Sequence, residues 1–151
     1  MKKTINIKLN GEKFSADVEA NEILLDVIRE KLGVKSPKSG CERGDCGTCT
    51  ILLNGKTARS CLILAIEVDG QEIVTVEGLN KAKLSKLQKS FLKNNSFQCG
   101  FCAPGIVLSA TELLKENKKP SEEDIKEAIA GNLCRCTGYE QIIKAIKEVV
   151  K

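Results

Sequence analysis

Eight cysteines and no histidine occur in this 151-residue chain. They fall into two sets of four. The first set is Cys41, Cys46, Cys49 and Cys61, a Cys-x4-Cys-x2-Cys run with a fourth cysteine further on. That is the spacing of a plant-type [2Fe–2S] site. Three thiolates on one tight loop can wrap one side of a cluster while the fourth closes from another segment. Gly40, Gly44 and Gly47 punctuate the loop. They allow positive φ and close backbone approach, so peptide N–H groups can point at sulfur. Such donors are needed because four thiolates and two sulfides outweigh two ferric ions, leaving a net charge of about −2. Structural zinc held by four cysteines normally uses two Cys-x2–4-Cys knuckles, and three cysteines on one loop fit that poorly. Arg43 and Asp45, on the same loop, are expected to face solvent or a docking partner.

The second set is Cys99, Cys102, Cys134 and Cys136. Cys99 and Cys102 lie just before a segment of helical periodicity, with Pro104 placed for a first helical turn. A helix N-terminus carries partial positive charge and favours an anionic group. In Cys134-Arg135-Cys136 both sulfurs must reach one centre across a single residue, which demands a sharply bent loop. By spacing alone, iron–sulfur and zinc both stay open for this second set. The lack of histidine excludes a His-ligated zinc, a Rieske-type centre and His-based acid–base catalysis.

The elements that must hold these loops differ between the two halves. Ile5, Ile7 and Leu9 alternate with polar residues as a half-buried strand, and Asn10-Gly11 is a strong hairpin signal. Phe14, Ala16 and Val18 alternate inward in a second strand. Leu24, Val27, Ile28 and Leu32 have helical spacing, with Gly33 as the stop. Ile51-Leu52-Leu53 reads as a buried strand before an Asn54-Gly55 turn, and residues 73–77 alternate as a last strand. The second half reads as four amphipathic helices. Leu84, Leu87 and Phe91 mark the first. Ile106, Val107, Ala110, Leu113 and Leu114 mark the second. Ser121 with Asp124 forms a capping box opening the third, which carries Ile125, Ala128 and Ile129. Ile142, Ile143, Ile146, Val149 and Val150 mark the fourth. The boundary is placed at Gly78-Leu79-Asn80, giving units 1–78 and 79–151. Each is small enough that a metal site would add needed stability.

Composition narrows the function classes. Hydrophobic residues at 42% and a net charge of only +4 exclude a disordered chain. The mild charge and 3% aromatic content argue against a nucleic-acid grip. The stretch from Met1 to Leu9 lacks a continuous apolar core, so it is not a signal peptide. No segment approaches the roughly 18 apolar residues of a membrane span. The chain is therefore expected to be cytoplasmic, where thiols stay reduced and cysteines serve metals or redox chemistry.

Three motifs together carry a family resemblance. Cys41-Glu-Arg-Gly-Asp-Cys46-Gly-Thr-Cys49, Gln98-Cys99-Gly100-Phe101-Cys102-Ala103-Pro104-Gly105 and Gly131-Asn132-Leu133-Cys134-Arg135-Cys136-Thr137-Gly138-Tyr139 stand in order. The chain resembles, over nearly its whole length, the iron–sulfur subunit of the molybdenum hydroxylases, the xanthine dehydrogenase and aldehyde oxidase family. The resemblance implies an α+β protein, a β-grasp ferredoxin-like domain followed by a four-helix-bundle domain, each with a [2Fe–2S] cluster. All eight cysteines match the family's ligands. A large molybdopterin subunit and a medium FAD subunit are implied as separate partners in a hetero-oligomer. Electrons would run from substrate to molybdenum, then Cys99/Cys102/Cys134/Cys136, then Cys41/Cys46/Cys49/Cys61, then FAD. Gln98 matches a glutamine that hydrogen-bonds the pterin, and Cys136 matches the cysteine nearest it. Thr48 stands where alanine is common, and Ala103 where threonine is. The substrate implied for the complex is a purine- or nicotinate-type heterocycle, or an aldehyde. Two other classes remain: a free-standing two-cluster ferredoxin and a zinc-stabilised interaction module.

Overall fold

The computed structural model describes residues 2–79 and 82–150. Strand β1 (Lys2–Leu9) buries Ile5, Ile7 and Leu9 and pairs antiparallel with β2 (Glu12–Glu19). Asn10 and Gly11 both take positive φ, as a tight hairpin turn matched to strand twist requires. The helical segment is only Leu24–Asp26 (α1), continued by a wider turn over Val27–Lys31 that closes on a Leu32 N–H to Val27 C=O bond. The periodicity of Leu24, Val27 and Ile28 still holds, because all three are buried. β3 (Thr50–Leu53) pairs with β4 (Lys56–Arg59), a strand the sequence did not announce. β5 (Glu72–Val74) lies between β1, to which it is parallel, and β3. The order is β2-β1-β5-β3-β4, one mixed sheet.

The strand expected over 73–77 stops at Val74. Val76–Gly78 turns instead as a short 3-10 segment, closed by a Gly78 N–H to Thr75 C=O bond of 2.9 Å. The cause is side-chain capture. Asn10 bonds Thr75 through both its amide atoms, and Glu77 accepts from the Thr75 hydroxyl at 2.6 Å, the Ser36 amide at 3.1 Å and the Ser36 hydroxyl. Val76 and Leu79 then pack on the helical core. Asn80, part of the expected boundary, lies outside the described residues.

Four helices follow: α2 (Lys86–Lys93), α3 (Ala103–Glu116), α4 (Glu122–Ile129) and α5 (Glu140–Val150). Ser121 and Asp124 form the expected capping box. Leu84 is a correction, for it precedes the Ser85 cap of α2 and is exposed. Leu87, Phe91, Ile106, Ala110, Ile125, Ile142 and Ile146 make the helical core. α3 also packs on β3 and β4, so the two cores share a wall. Lys56 pairs there with Glu112 and Glu116, and Glu112 accepts the Thr57 amide at 2.9 Å. That contact explains β4, a half-exposed strand whose covering comes from the other half of the chain. Among the described residues no helix is long and apolar enough to cross a membrane.

Glu77 gives a pH prediction. Burial works to raise its carboxyl, but the Ser36 and Thr75 bonds outweigh it, so it lies below its ordinary 4.5. Its contribution is therefore complete above about 4.5 and is lost as pH falls through the depressed folded value. Glu77→Gln is expected to cost about 1 kcal/mol at pH 7. Acid unfolding of the variant below pH 4.5 should be correspondingly flatter. Parallel acid-stability curves for the two proteins would refute this.

Candidate metal centres

The loop carrying the first cysteine set runs between the α1 turn and β3, and Cys61 follows β4 in a 3-10 turn, Ser60–Leu62. Glu42, Gly44 and Gly47 all have positive φ, so successive amides turn toward the sulfurs. The Arg43, Cys46 and Asp45 amides hold the Cys41 thiol down to about 6. Cys49 and Cys61 are buried, 3.3 Å apart. Burial, with Cys49 beside it, pushes the Cys61 thiol up to about 11. Thr48, standing where alanine is common in the family, lies 3.2 Å from the Cys46 sulfur through its hydroxyl. Arg43 and Asp45 pair with each other on the exposed rim of this loop.

The second set repeats this design from other elements. Cys102 caps the N-terminus of α3 and is buried, and burial followed by Cys134 pushes its thiol up to about 12. Cys99 and Cys136 are both exposed, with sulfurs 3.4 Å apart. The Phe101 amide holds the Cys99 thiol below its ordinary 9.0. Burial works to raise Cys134, but the Thr137 hydroxyl (3.1 Å) and amide (3.4 Å) outweigh it. Gln98 is exposed and donates its amide to the Cys136 carbonyl at 2.9 Å, so Gln98, Cys99 and Cys136 share one surface.

In both sets the sulfurs come in pairs: Cys41 with Cys46, Cys49 with Cys61, Cys99 with Cys136 and Cys102 with Cys134. A single tetrahedral zinc would draw all four sulfurs to within about 3.8 Å of one another. A donor set made of two thiol pairs suits a group with two metal ions. Cys61 and Cys102, whose thiols burial raises, are poor thiolates until a cation replaces the proton.

Comparison with known proteins agrees. Residues 7–80 match the 2Fe-2S iron-sulfur cluster binding domain family, and residues 75–147 match the [2Fe-2S] binding domain family. The chain is 47% identical to the nicotine 6-hydroxylase small subunit of Paenarthrobacter nicotinovorans, over 94% of this chain and 86% of that one. It is 46% identical to the nicotinate dehydrogenase small FeS subunit of Eubacterium barkeri, over 98% and 95%. The chain belongs to the iron–sulfur small subunits of the molybdenum hydroxylases. The crystal structure of quinoline 2-oxidoreductase from Pseudomonas putida 86 superimposes with a TM-score of 0.95 at 45% identity, covering 99% of this small subunit and 93% of that chain.

Several residues that order this small subunit escaped sequence reasoning. Asn132 is buried and donates to Ser109 at 2.8 Å, fixing the second cysteine loop on α3. Arg59 reaches Thr50 (2.5 Å) and the Gly131 carbonyl (2.7 Å), tying β4 to the other domain's loop. The Leu133 amide donates to the Cys46 carbonyl at 2.9 Å. The Tyr139 carbonyl accepts from the Ile143 amide at the start of α5. The Tyr139 hydroxyl also donates to the Asn132 carbonyl (3.0 Å) and accepts the Cys134 amide (2.7 Å), which buckles the cysteine loop. No periodicity marks such residues. The only sequence signal was their position beside cysteines.

Proposed function

We propose that Cys41, Cys46, Cys49 and Cys61 hold one [2Fe–2S] cluster, that Cys99, Cys102, Cys134 and Cys136 hold a second, and that the chain is the electron-transfer subunit of a molybdenum hydroxylase. When bound, such a cluster accepts and releases single electrons. The protein's part is to supply thiolates, aim amides at them, and hold the two loops together. The observation that carries the reading is the Leu133–Cys46 bond. It leaves Cys134 and Cys46 separated by a short covalent path and one hydrogen bond. A zinc-stabilised interaction module would need no such abutment of two thiol loops.

The finer fold reading is a β-grasp domain over 1–78 and a four-helix bundle over 79–151. The mixed sheet with α1 against it and the shared core of α2 to α5 support it. The proposed partners are a large molybdopterin subunit and a medium FAD subunit. The large one would meet the surface of Gln98, Cys99 and Cys136, with the Gln98 side chain and Cys136 nearest the pterin. The medium one would meet the rim near Cys41 and Cys46. The relatives' names point to a nitrogen heterocycle of nicotinate or purine type as substrate of the complex, with an aldehyde as the other class. The cytoplasm is the proposed location.

Anaerobic purification of the tagged chain from its native host tests this. Two larger chains, molybdenum and FAD should accompany it. Iron without molybdenum or partners would point to a free-standing two-cluster ferredoxin and remove the role given to Gln98.

A further inference from the structure

The Lys38 ammonium lies over an aromatic ring, that of Phe101. The residue's backbone belongs to the first cysteine loop, clamped by a Lys38 N–H to Thr48 C=O bond of 2.9 Å and a Thr48 hydroxyl to Lys38 C=O bond of 3.0 Å. Its ammonium crosses to the other domain. There it donates to the Phe101 carbonyl at 3.4 Å, lies 5.1 Å from the centre of the Phe101 ring, and also bonds the Ser36 carbonyl at 3.2 Å. Phe101 is the residue between Gly100 and Cys102, inside the loop that presents Cys99 and Cys102. The side chain is half-buried, so its charge is screened less than that of an exposed lysine.

Arg29 bonds the Lys35 and Pro37 carbonyls, and Glu77 is held by Ser36 and Thr75. Burial and then Arg29 loosen the Lys38 proton, while Glu77 and the sulfurs of Cys102 and Cys99 pull the other way. Arg29 and Glu77 act on Lys38 with opposite sign, and it is the Lys38 ammonium that bonds into the Cys99–Cys102 loop, at the Phe101 carbonyl.

Cluster potentials follow net charge, hydrogen bonding to sulfur and exposure. A fixed cation beside one of two similar anionic centres favours the reduced, more negative form of that centre. We propose that Lys38 raises the reduction potential of the centre on Cys99, Cys102, Cys134 and Cys136 relative to the centre on Cys41, Cys46, Cys49 and Cys61, and so sets which of the two holds the electron. This rests on the ligand sets proposed above.

The test is a redox titration of the iron-loaded full chain, followed by EPR, in the parent, Lys38→Gln, Lys38→Met and Lys38→Arg. Two resolved one-electron waves in the parent, one of them lost in Cys136→Ser, establish the ligand reading independently of Lys38. Gln keeps a donor for the Phe101 carbonyl but has no charge, so it separates charge from hydrogen bonding. Lys38→Gln and Lys38→Met should each lower the reduction equilibrium constant of the helical-domain centre about tenfold, a fall of about 59 mV for one electron. The other wave should move less than half as far. Lys38→Arg should stay within about twofold of the parent. Unchanged waves, equal shifts of both waves, or an arginine variant that behaves like glutamine would overturn the proposal. Loss of the helical-domain centre's iron in both neutral variants would overturn it too, by making the role of Lys38 structural.

Discussion

Gly47→Ala is expected to destabilise the chain by about 2–5 kcal/mol. Gly47 has φ +76°, where an L-residue is strained. A Cβ there would sit 2.3 Å from the Gly131 carbonyl oxygen, 2.6 Å from Asn132 Oδ1 and 2.9 Å from Asn132 Cα. Those atoms cannot swing aside. Gly131 is held by Arg59, Asn132 by Ser109, and Leu133 by the Cys46 carbonyl. Gly105 closes the same contact, its own ideal Cβ lying 2.5 Å from the Gly47 carbonyl oxygen. Strain of about 1–2 kcal/mol and overpacking of about 1–3 add at one site. The melting temperature should fall by roughly 10 °C. Gly33→Ala is the control. Gly33 has φ +74° but nothing within 4 Å of an ideal Cβ, so only the strain applies. If the two variants melt together, the abutment of the cysteine loops is not the constraint described here.

Cys136→Ser is expected to remove one centre and leave the other. Iron should fall from about four to about two per chain, and the plant-type EPR signal should survive. Cys136 pairs with Cys99 on the surface, while the first set lies on the loop before β3 and the turn after β4. Losing an exposed sulfur removes little packing, so the sheet domain should keep its fold. The helical domain should lose the part of its stability that metal binding supplies. Retention of both signals, or loss of both, would show that the cysteines are grouped differently.

How much of this was legible in sequence depends on whether the cause was local. The β1–β2 hairpin was readable because Asn10-Gly11 suits a tight turn and the side chains alternate strictly. The capping box at Ser121 was readable because its partner is three residues away. The two cysteine sets were readable from spacing, and their pairing needed only the fold to bring distant sulfurs together. β4 was not readable, since Lys56, Thr57 and Arg59 are polar and find their partners in distant segments, Lys56 and Thr57 on Glu112 and Glu116 of α3 and Arg59 on the Gly131 carbonyl. The end of β5 was hidden too. Its Val/Thr alternation continues to Glu77, but Asn10 and Ser36 pull the backbone out of the sheet. Glu42 adopts positive φ without being glycine, helped by the Ser39 hydroxyl on its carboxylate at 2.6 Å. Arg59, Asn132 and Tyr139 act between segments far apart in the chain, and no local pattern could mark them.

The central claim is that two all-cysteine sites each hold a binuclear iron–sulfur group. Iron, zinc and acid-labile sulfide should be counted on the anaerobically purified parent chain, with EPR of the reduced protein. The account predicts about four irons and about four sulfides per chain, no stoichiometric zinc, and two distinct spin systems. One or two zinc ions per chain, or about two irons with a single spin system, would contradict it.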